Sequence, residues 1–352
     1  MAMGTATALG TYNPTLLDVS KRMAPDGSID TEIVEIIAQT NDIMDYMTFQ
    51  MGNLPTGNKT TIRNGYPTAY WKKFYRGIQS SKSRTEQATD TCGMLRAKSD
   101  IDADMVEKFG GNSLRQSEDV AHIQGMTEEF VSTFFYGNTD TDPEEFMGLA
   151  PRFNTPSATK TKIGWNMVDG GAADGQTDTT SIWLCGFSPQ TLFGMFPSGS
   201  KAGLSVENKG KINVAATDDS GNATDNEVYR TLFKWDCGIV LKDWRFVVRI
   251  CNVDMSVLKA DPTGATVNLP NLMIKAKSRI PRISKAVRFC WCMTGTVKEM
   301  LWKQCNAASM YTTMFGTVGN EPVDAFLRIP IAQCDGILET ETAILDAAGT
   351  FG

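Results

Sequence analysis

Histidine is almost missing from this sequence: His122 is the only one in 352 residues. Histidine-based zinc sites and histidine-containing catalytic triads are therefore excluded, and His122, set inside a helical pattern, reads as a packing or surface residue. Long hydrophobic runs are missing too. No stretch approaches the ~18 apolar residues that a membrane-spanning helix requires. The opening MAMGTATALGTYNPT has no basic segment followed by an apolar one, so it does not read as a secretory signal, and synthesis in a cytoplasm is expected. A surplus of positive charge is absent as well. The net charge of −6 argues against a protein whose main work is coating DNA, because that affinity comes chiefly from neutralised phosphates.

Catalytic signatures are equally scarce. There is no G-x-S-x-G, no paired Cys and His and no dinucleotide fingerprint. Glu144 with Glu145, or Glu339 with Glu341, could pose as acid/base pairs, but carboxylates are abundant enough to make such pairs coincidental. Gly52 to Thr60 nearly spells a phosphate-binding loop, yet Asn58 inserts one residue before Lys59 and would misalign the lysine with the backbone N–H groups. Asp100, Asp102 and Asp104 alternate, as do Asn138, Asp140 and Asp142. Pro143 stands where a calcium loop needs glycine, so turns and solvated faces explain both. Six of the eight cysteines are scattered singly among apolar neighbours, as reduced core residues are. Cys290 and Cys292 flank Trp291 and share one face of a strand; as half of a metal site they lack the other half. No catalytic, cofactor or metal residue is expected.

What is present is an ordinary globular composition, 41% hydrophobic and 21% charged, over a length that suggests about two lobes. Its best-marked element runs from Ser113 to Tyr136. A Ser113/Gln116 capping box opens it, Val120, Ile123, Thr127, Phe130, Val131 and Phe134 recur at helical spacing, and Gly137 supplies a left-handed cap. Residues 1–30 are poor in large apolar groups and read as an arm that orders only against something else. Asp30 then caps a helix through Ile33, Ile36, Ile37, Ile43 and Met47. From Thr60 to Ala97 the pattern becomes strand-like, with Tyr66, Tyr70, Trp71, Phe74 and Tyr75 before a polar turn at 79–83. Residues 155–180 read as a loop, 181–187 and 191–196 as buried strand or short-helix pieces, and 218–227 as an acidic loop tip. Strands follow over 231–241 and 244–253, the second with one charged face through Arg245 and Arg249. A helix over 296–306 starts with a Thr296/Glu299 capping box, and strands close the chain over 325–335 and 337–341.

Charge singles out the hairpin. Between Asp45 and Glu86 there is no acidic residue, while Lys59, Arg63, Lys72, Lys73, Arg76, Lys82 and Arg84 are all basic. The stretch carries +7 in a chain of −6, so the remainder carries −13. A two-stranded hairpin has almost no core of its own and is marginal alone. A solvated basic face, a nucleic-acid groove, or a cationic arm laid across the acidic body of an adjacent copy would each account for it.

The segment STFFYGNTDTDPEEFMGLAPRFN, with GNLPTGNKTTIRNGYPT before it and DWRFVVRICNVD and RIPIAQCDGILETE after it, resembles the major capsid proteins of short-tailed double-stranded DNA phages. The resemblance covers nearly the whole chain in the same order. It implies an α+β, Hong Kong 97-type fold with a long spine helix, an N-terminal arm, a projecting hairpin called the E-loop, and peripheral and axial domains. On that scheme 1–50 form the arm and first helix, 51–98 the E-loop, and 99–180 the spine helix and peripheral domain. Residues 181–320 are then mainly the axial domain, with peripheral strands near 231–254, and 321–352 are strands returning to the body. The resemblance further implies hexamers and pentamers of an icosahedral shell in the virion, assembled in a bacterial cytoplasm. Further implied partners are a portal protein, a cement or scaffold protein and non-specifically contacted packaged DNA, with no membrane and no cofactor. Expected contacts between copies are Lys21 and Arg22 on the arm, and Lys59, Arg63, Tyr70, Trp71, Lys72, Lys73, Phe74, Arg76, Lys82 and Arg84 on the hairpin. A tail or decoration protein, or a DNA-binding protein using the basic hairpin, are the alternatives.

Overall fold

The computed structural model describes residues 41–108, 112–200, 202–217, 222–281, 287–307, 313–318 and 321–345. The arm with Lys21 and Arg22, the Asp30-capped helix as far as residue 40, the side chain of Ser113 and residues 218–221 of the acidic stretch lie outside these. In chain order come α1 (Ile43–Tyr46), β1 (Phe49–Met51), β2 (Gly57–Gly65), β3 (Arg84–Thr91), β4 (Gly93–Asp102), α2 (Ala103–Lys108) and α3 (Asn112–Tyr136). Next are β5 (Met167–Asp169), β6 (Thr179–Phe187), β7 (Leu192–Phe196), β8 (Ser205–Thr217), β9 (Ala223–Leu241), β10 (Val247–Asp254), α4 (Met255–Ala260) and α5 (Leu269–Arg279). The chain closes with β11 (Arg288–Met293), α6 (Gly295–Ala307), β12 (Thr313–Val318), β13 (Glu321–Phe326) and β14 (Ile329–Gln333). The fold is α+β. None of its described helices is long and apolar enough to cross a membrane.

Two compact units emerge, one holding 94–130 with 203–236 and the other the remaining described residues. The smaller is built on β9, which pairs antiparallel with β8 from Ser205↔Lys234 to Thr217↔Ala223 and also pairs with β4. The acidic stretch read as a loop tip is already strand from Ala223, because antiparallel pairing with β8 overrides its weak strand propensity. The first half of α3 lies against β9: Phe130 stacks on Trp235 at 4.6 Å, His122 faces Phe233 at 5.9 Å, and Arg115 sits over the Tyr229 ring at 5.1 Å. Val120 and Ile123, expected in the buried stripe, are 55% and 38% exposed; the buried positions of this half are Leu114, Met126 and Phe130. Asp100 accepts two bonds from Arg230, one of 2.7 Å, and Asp102 accepts from Asn226, so these two carboxylates are spent on pairing with β9, while Asp104 is exposed and pairs with Lys108 on α2.

In the larger unit the strands run β12-β13-β14-β11-β6-β7-β9, with β10 antiparallel to β6, β5 parallel to β10 and β1 parallel to β7. Leu184, Ile250, Met273, Trp291, Val297 and Leu301 meet in its main core under α5 and α6. Val297, Met300, Leu301 and Gln304 are buried as the spacing predicts, but the first free N–H, that of Val297, is met by Thr294 rather than by Thr296. Gly137 ends α3 without a left-handed backbone. A Cβ there would lie 2.5 Å from the Phe146 carbonyl oxygen and 2.7 Å from that of Thr133, so glycine is required by close approach, not by its φ. The cysteine pair sits on one buried face with sulfurs 3.6 Å apart, and Cys185 and Cys334 adjoin it, so the thiols the sequence left unmatched do gather. Burial pushes the Cys290 and Cys292 thiols up, and no group of the described residues is arranged to hold a metal ion.

β10 departs most from expectation. The face expected to be charged is buried as well: Arg249 is only 3% exposed. Its guanidinium donates to Glu341 at 2.9 Å, to Ser181 Oγ at 3.0 Å and to the Phe153 carbonyl at 2.9 Å, and lies 5.0 Å from the Trp183 ring. Glu341 also accepts from Ser181 and from the Tyr136 hydroxyl, whose pKa burial and the Glu341 charge push upward. Around this pair the strap 336–345 is sewn down: Thr179 and Thr180 hydroxyls donate to the Glu341 and Leu338 carbonyls, and Asn252 brackets Ile344.

Removing one partner of a buried pair strands the other's charge. Glu341→Gln is therefore expected to lower the unfolding free energy of the unassembled chain by roughly 3–5 kcal/mol, read from a urea titration. In the smaller unit burial raises the carboxyl of Asp119 above the usual range, and its Oδ1 has no partner. A raised carboxyl favours folding while protonated and loses that contribution as pH rises through the folded value. Asp119→Asn is accordingly expected to raise the melting temperature at pH 7, with the gain shrinking as pH is lowered towards 4.

Candidate assembly surface

β2 and β3 form a separate two-stranded sheet, in register from Gly57↔Thr91 to Gly65↔Arg84 with a bulge after Arg63. Its base is firmly built. A Cβ on Gly57 would fall 2.0 Å from the Asp90 carbonyl oxygen, and one on Gly52 2.4 Å from that of Gly57. The glycines of the apparent phosphate loop thus serve backbone approach, and Asn53 clasps the N–H and carbonyl of Lys59 at 2.7 and 2.8 Å. Asp90, buried, pairs with Arg152 at 2.8 Å, and Arg152 also donates to the Gly148 and Met147 carbonyls. The hairpin is thereby bolted at one end to the segment that follows α3.

Beyond this base the chain has almost nothing to pack on. Residues 66–83 pair with no strand, and the aromatics expected within strands sit here instead. Trp71 is 100% exposed and Phe74 94%, with Tyr66, Tyr70, Tyr75 and Ile78 also exposed. Lys59, Arg63, Lys72, Lys73, Arg76, Lys82 and Arg84 are all exposed, and none forms an ion pair with a described residue. Of the twelve expected contact residues the structure thus brings ten together on one projecting hairpin; Lys21 and Arg22 lie outside the described residues. Tyr66, Tyr75 and Ile78 extend the set, and their signal in the sequence was membership of the same acid-free stretch. Single surface hydrophobics are common, but so large a contiguous group on one chain marks an interaction surface. Each aromatic can remove 150–250 Å² from water when covered.

A long helix, a projecting hairpin and a mixed sheet make up an α+β capsid fold of the Hong Kong 97 type. The chain belongs to the Major capsid protein GP7 family, whose description matches residues 24–345. A chain of the cryo-EM structure of bacteriophage Epsilon15 is 27% identical, with a TM-score of 0.75, covering 96% of this chain and 99% of that one. The capsid of bacteriophage JBD30 is 9% identical, with a TM-score of 0.48, over 92% and 99% of the two chains. No curated protein matches. The protein is a phage major capsid protein, a structural subunit.

Because the tip touches so little of its own chain, Trp71→Ala with Phe74→Ala is expected to change the stability of the unassembled protein by less than about 0.5 kcal/mol. Chemical denaturation of the subunit checks this.

Proposed function

We propose that copies of this chain close into hexamers and pentamers of an icosahedral shell enclosing the phage genome, with the hairpin, serving as the E-loop, laid across an adjacent copy. The observation that carries this is the hairpin itself: six exposed apolar side chains and four cations at its tip, and three more cations along its strands, with no ion-pair partner among the described residues. Aromatics supply the buried area and the cations supply register against an acidic body, the combination that marks protein interfaces. The arm through Lys21 and Arg22 adds a second, separate attachment. Several modest contacts made at once multiply through effective concentration, so no one of them has to be strong. A head-to-tail contact of this kind closes into rings. A portal protein, a cement or scaffold protein and packaged DNA held through its phosphates complete the set of partners, with assembly in the host cytoplasm.

Reversing the charge at Lys72, Lys73 and Arg76, or deleting residues 1–28, is expected to leave a folded chain that forms no particles in negative-stain micrographs and sediments as small species. Particles of normal size from either variant would overturn the reading. Small rings from the unmodified chain would indicate a tail or decoration protein instead, and retention of duplex DNA with a steep salt dependence a DNA-binding one.

A further inference from the structure

The two-residue turn that joins β13 to β14 is held in left-handed backbone by residues ill suited to it: Leu327 has φ 53° and Arg328 φ 65°. Turns of this shape favour Asn-Gly, and side chains at both positions persist only where the surroundings impose them. Lys277 imposes part of it, its ammonium donating to the Leu327 carbonyl at 2.7 Å. That clasp brings a second cation to the turn, and the Lys277 ammonium is held below its usual range by burial and then by repulsion from Arg328. The parallel register of β11 with β14 (Trp291↔Ile331), extended three residues back, sets Arg288 level with Arg328 at the same end of the sheet. All three cations are exposed, and none forms an ion pair with a described residue. Of the two carboxylates on β13, Asp324 is already taken by Lys298 at 2.7 Å, and the side chain of Glu321 lies outside the described residues. From 262 to 298 the sequence has seven basic residues and no acidic one.

Opposite charge stands elsewhere on the chain. Asp140, Asp142 and Glu144 are exposed in the loop after α3, and none forms an ion pair with a described residue. α3 has no basic residue in its last turn, so its terminal carbonyls add to the negative field there. A strained turn that fixes one guanidinium, flanked by two more cations, suits a discrete cluster of carboxylates. A phosphate backbone is followed instead by a long cationic track.

We propose that the Leu327–Arg328 turn, with Lys277 and Arg288, is a second contact between copies, which docks on the Asp140–Glu144 loop of another copy. It rests on the shell reading above but not on the hairpin tip.

The test is a charge swap in the full chain, with assembly followed by sedimentation and the fold of each variant checked by its melting temperature. Arg328→Glu with Arg288→Glu is expected to lower particle yield about tenfold or more, as is Asp140→Lys with Asp142→Lys and Glu144→Lys, and combining both sets is expected to restore it to within about threefold of the parent. Arg328→Lys, which keeps the charge, is expected to assemble. Normal assembly of either reversed chain, or no recovery in the combination, overturns the proposal. So does a loss of short-duplex DNA retention by the Arg328/Arg288 variant with assembly intact, which would assign the turn to phosphate. A parent chain that forms no particles at all strikes the shell reading, whereas failure of the hairpin variants alone leaves this contact standing.

Discussion

The larger unit depends on one buried ion pair. Arg249 and Glu341 are almost fully buried, and desolvating the two is tolerable because Ser181 and the Phe153 carbonyl accept from the guanidinium, the Trp183 ring faces it, and Ser181 and Tyr136 donate to the carboxylate. The pair also determines where four separate pieces of chain must be: β6, β10, the last turn of α3 and the strap 336–345. None of these could shift by an ångström or two without leaving a charge alone in an apolar interior. A hydrophobic contact in the same place would tolerate such sliding. Ionic chemistry in this core therefore specifies position more than it adds stability.

That fixed body explains how the hairpin can be so bare. β2 and β3 have no third strand and no packed face, yet the Asp90–Arg152 pair and the glycine contacts at Gly52 and Gly57 hold the base. On the proposed reading, the hydrophobic area left uncovered at the tip drives association, and a rigid root lowers the ordering cost of using it. The same chain thus puts its tightest polar anchoring directly beneath its least satisfied surface.

Much of this was legible in the sequence, and the misses have physical reasons. α3 was readable because 25 residues without proline carry helical spacing, and the hairpin because 40 residues without a carboxylate are hard to ignore. The stripe failed at Val120 and Ile123 because spacing gives a face but not what covers it. Gly137 misled because glycine serves both positive φ and close approach, and only the neighbouring Phe146 carbonyl distinguishes them. Arg249 was read only as part of a charged face, because alternation along β10 cannot reveal that its second face is also covered, nor that a carboxylate 92 residues later reaches it. Glu341 was dismissed as one acid among many for the same reason. Among the candidate contacts, charge and aromatic content were visible in advance, whereas the loss of strand pairing over 66–83 was not, since Tyr, Trp and Phe all favour strands when something is there to pair with.

The separation of Arg249 from Glu341 along the chain also orders events in time. A ribosome adding 5–20 residues per second reaches Glu341 roughly 5–20 s after Arg249. During that interval the hairpin is already complete while the body it springs from still lacks its closing counter-ion. Each nascent chain thus carries its finished hairpin for several seconds before the closing strap can be sewn down.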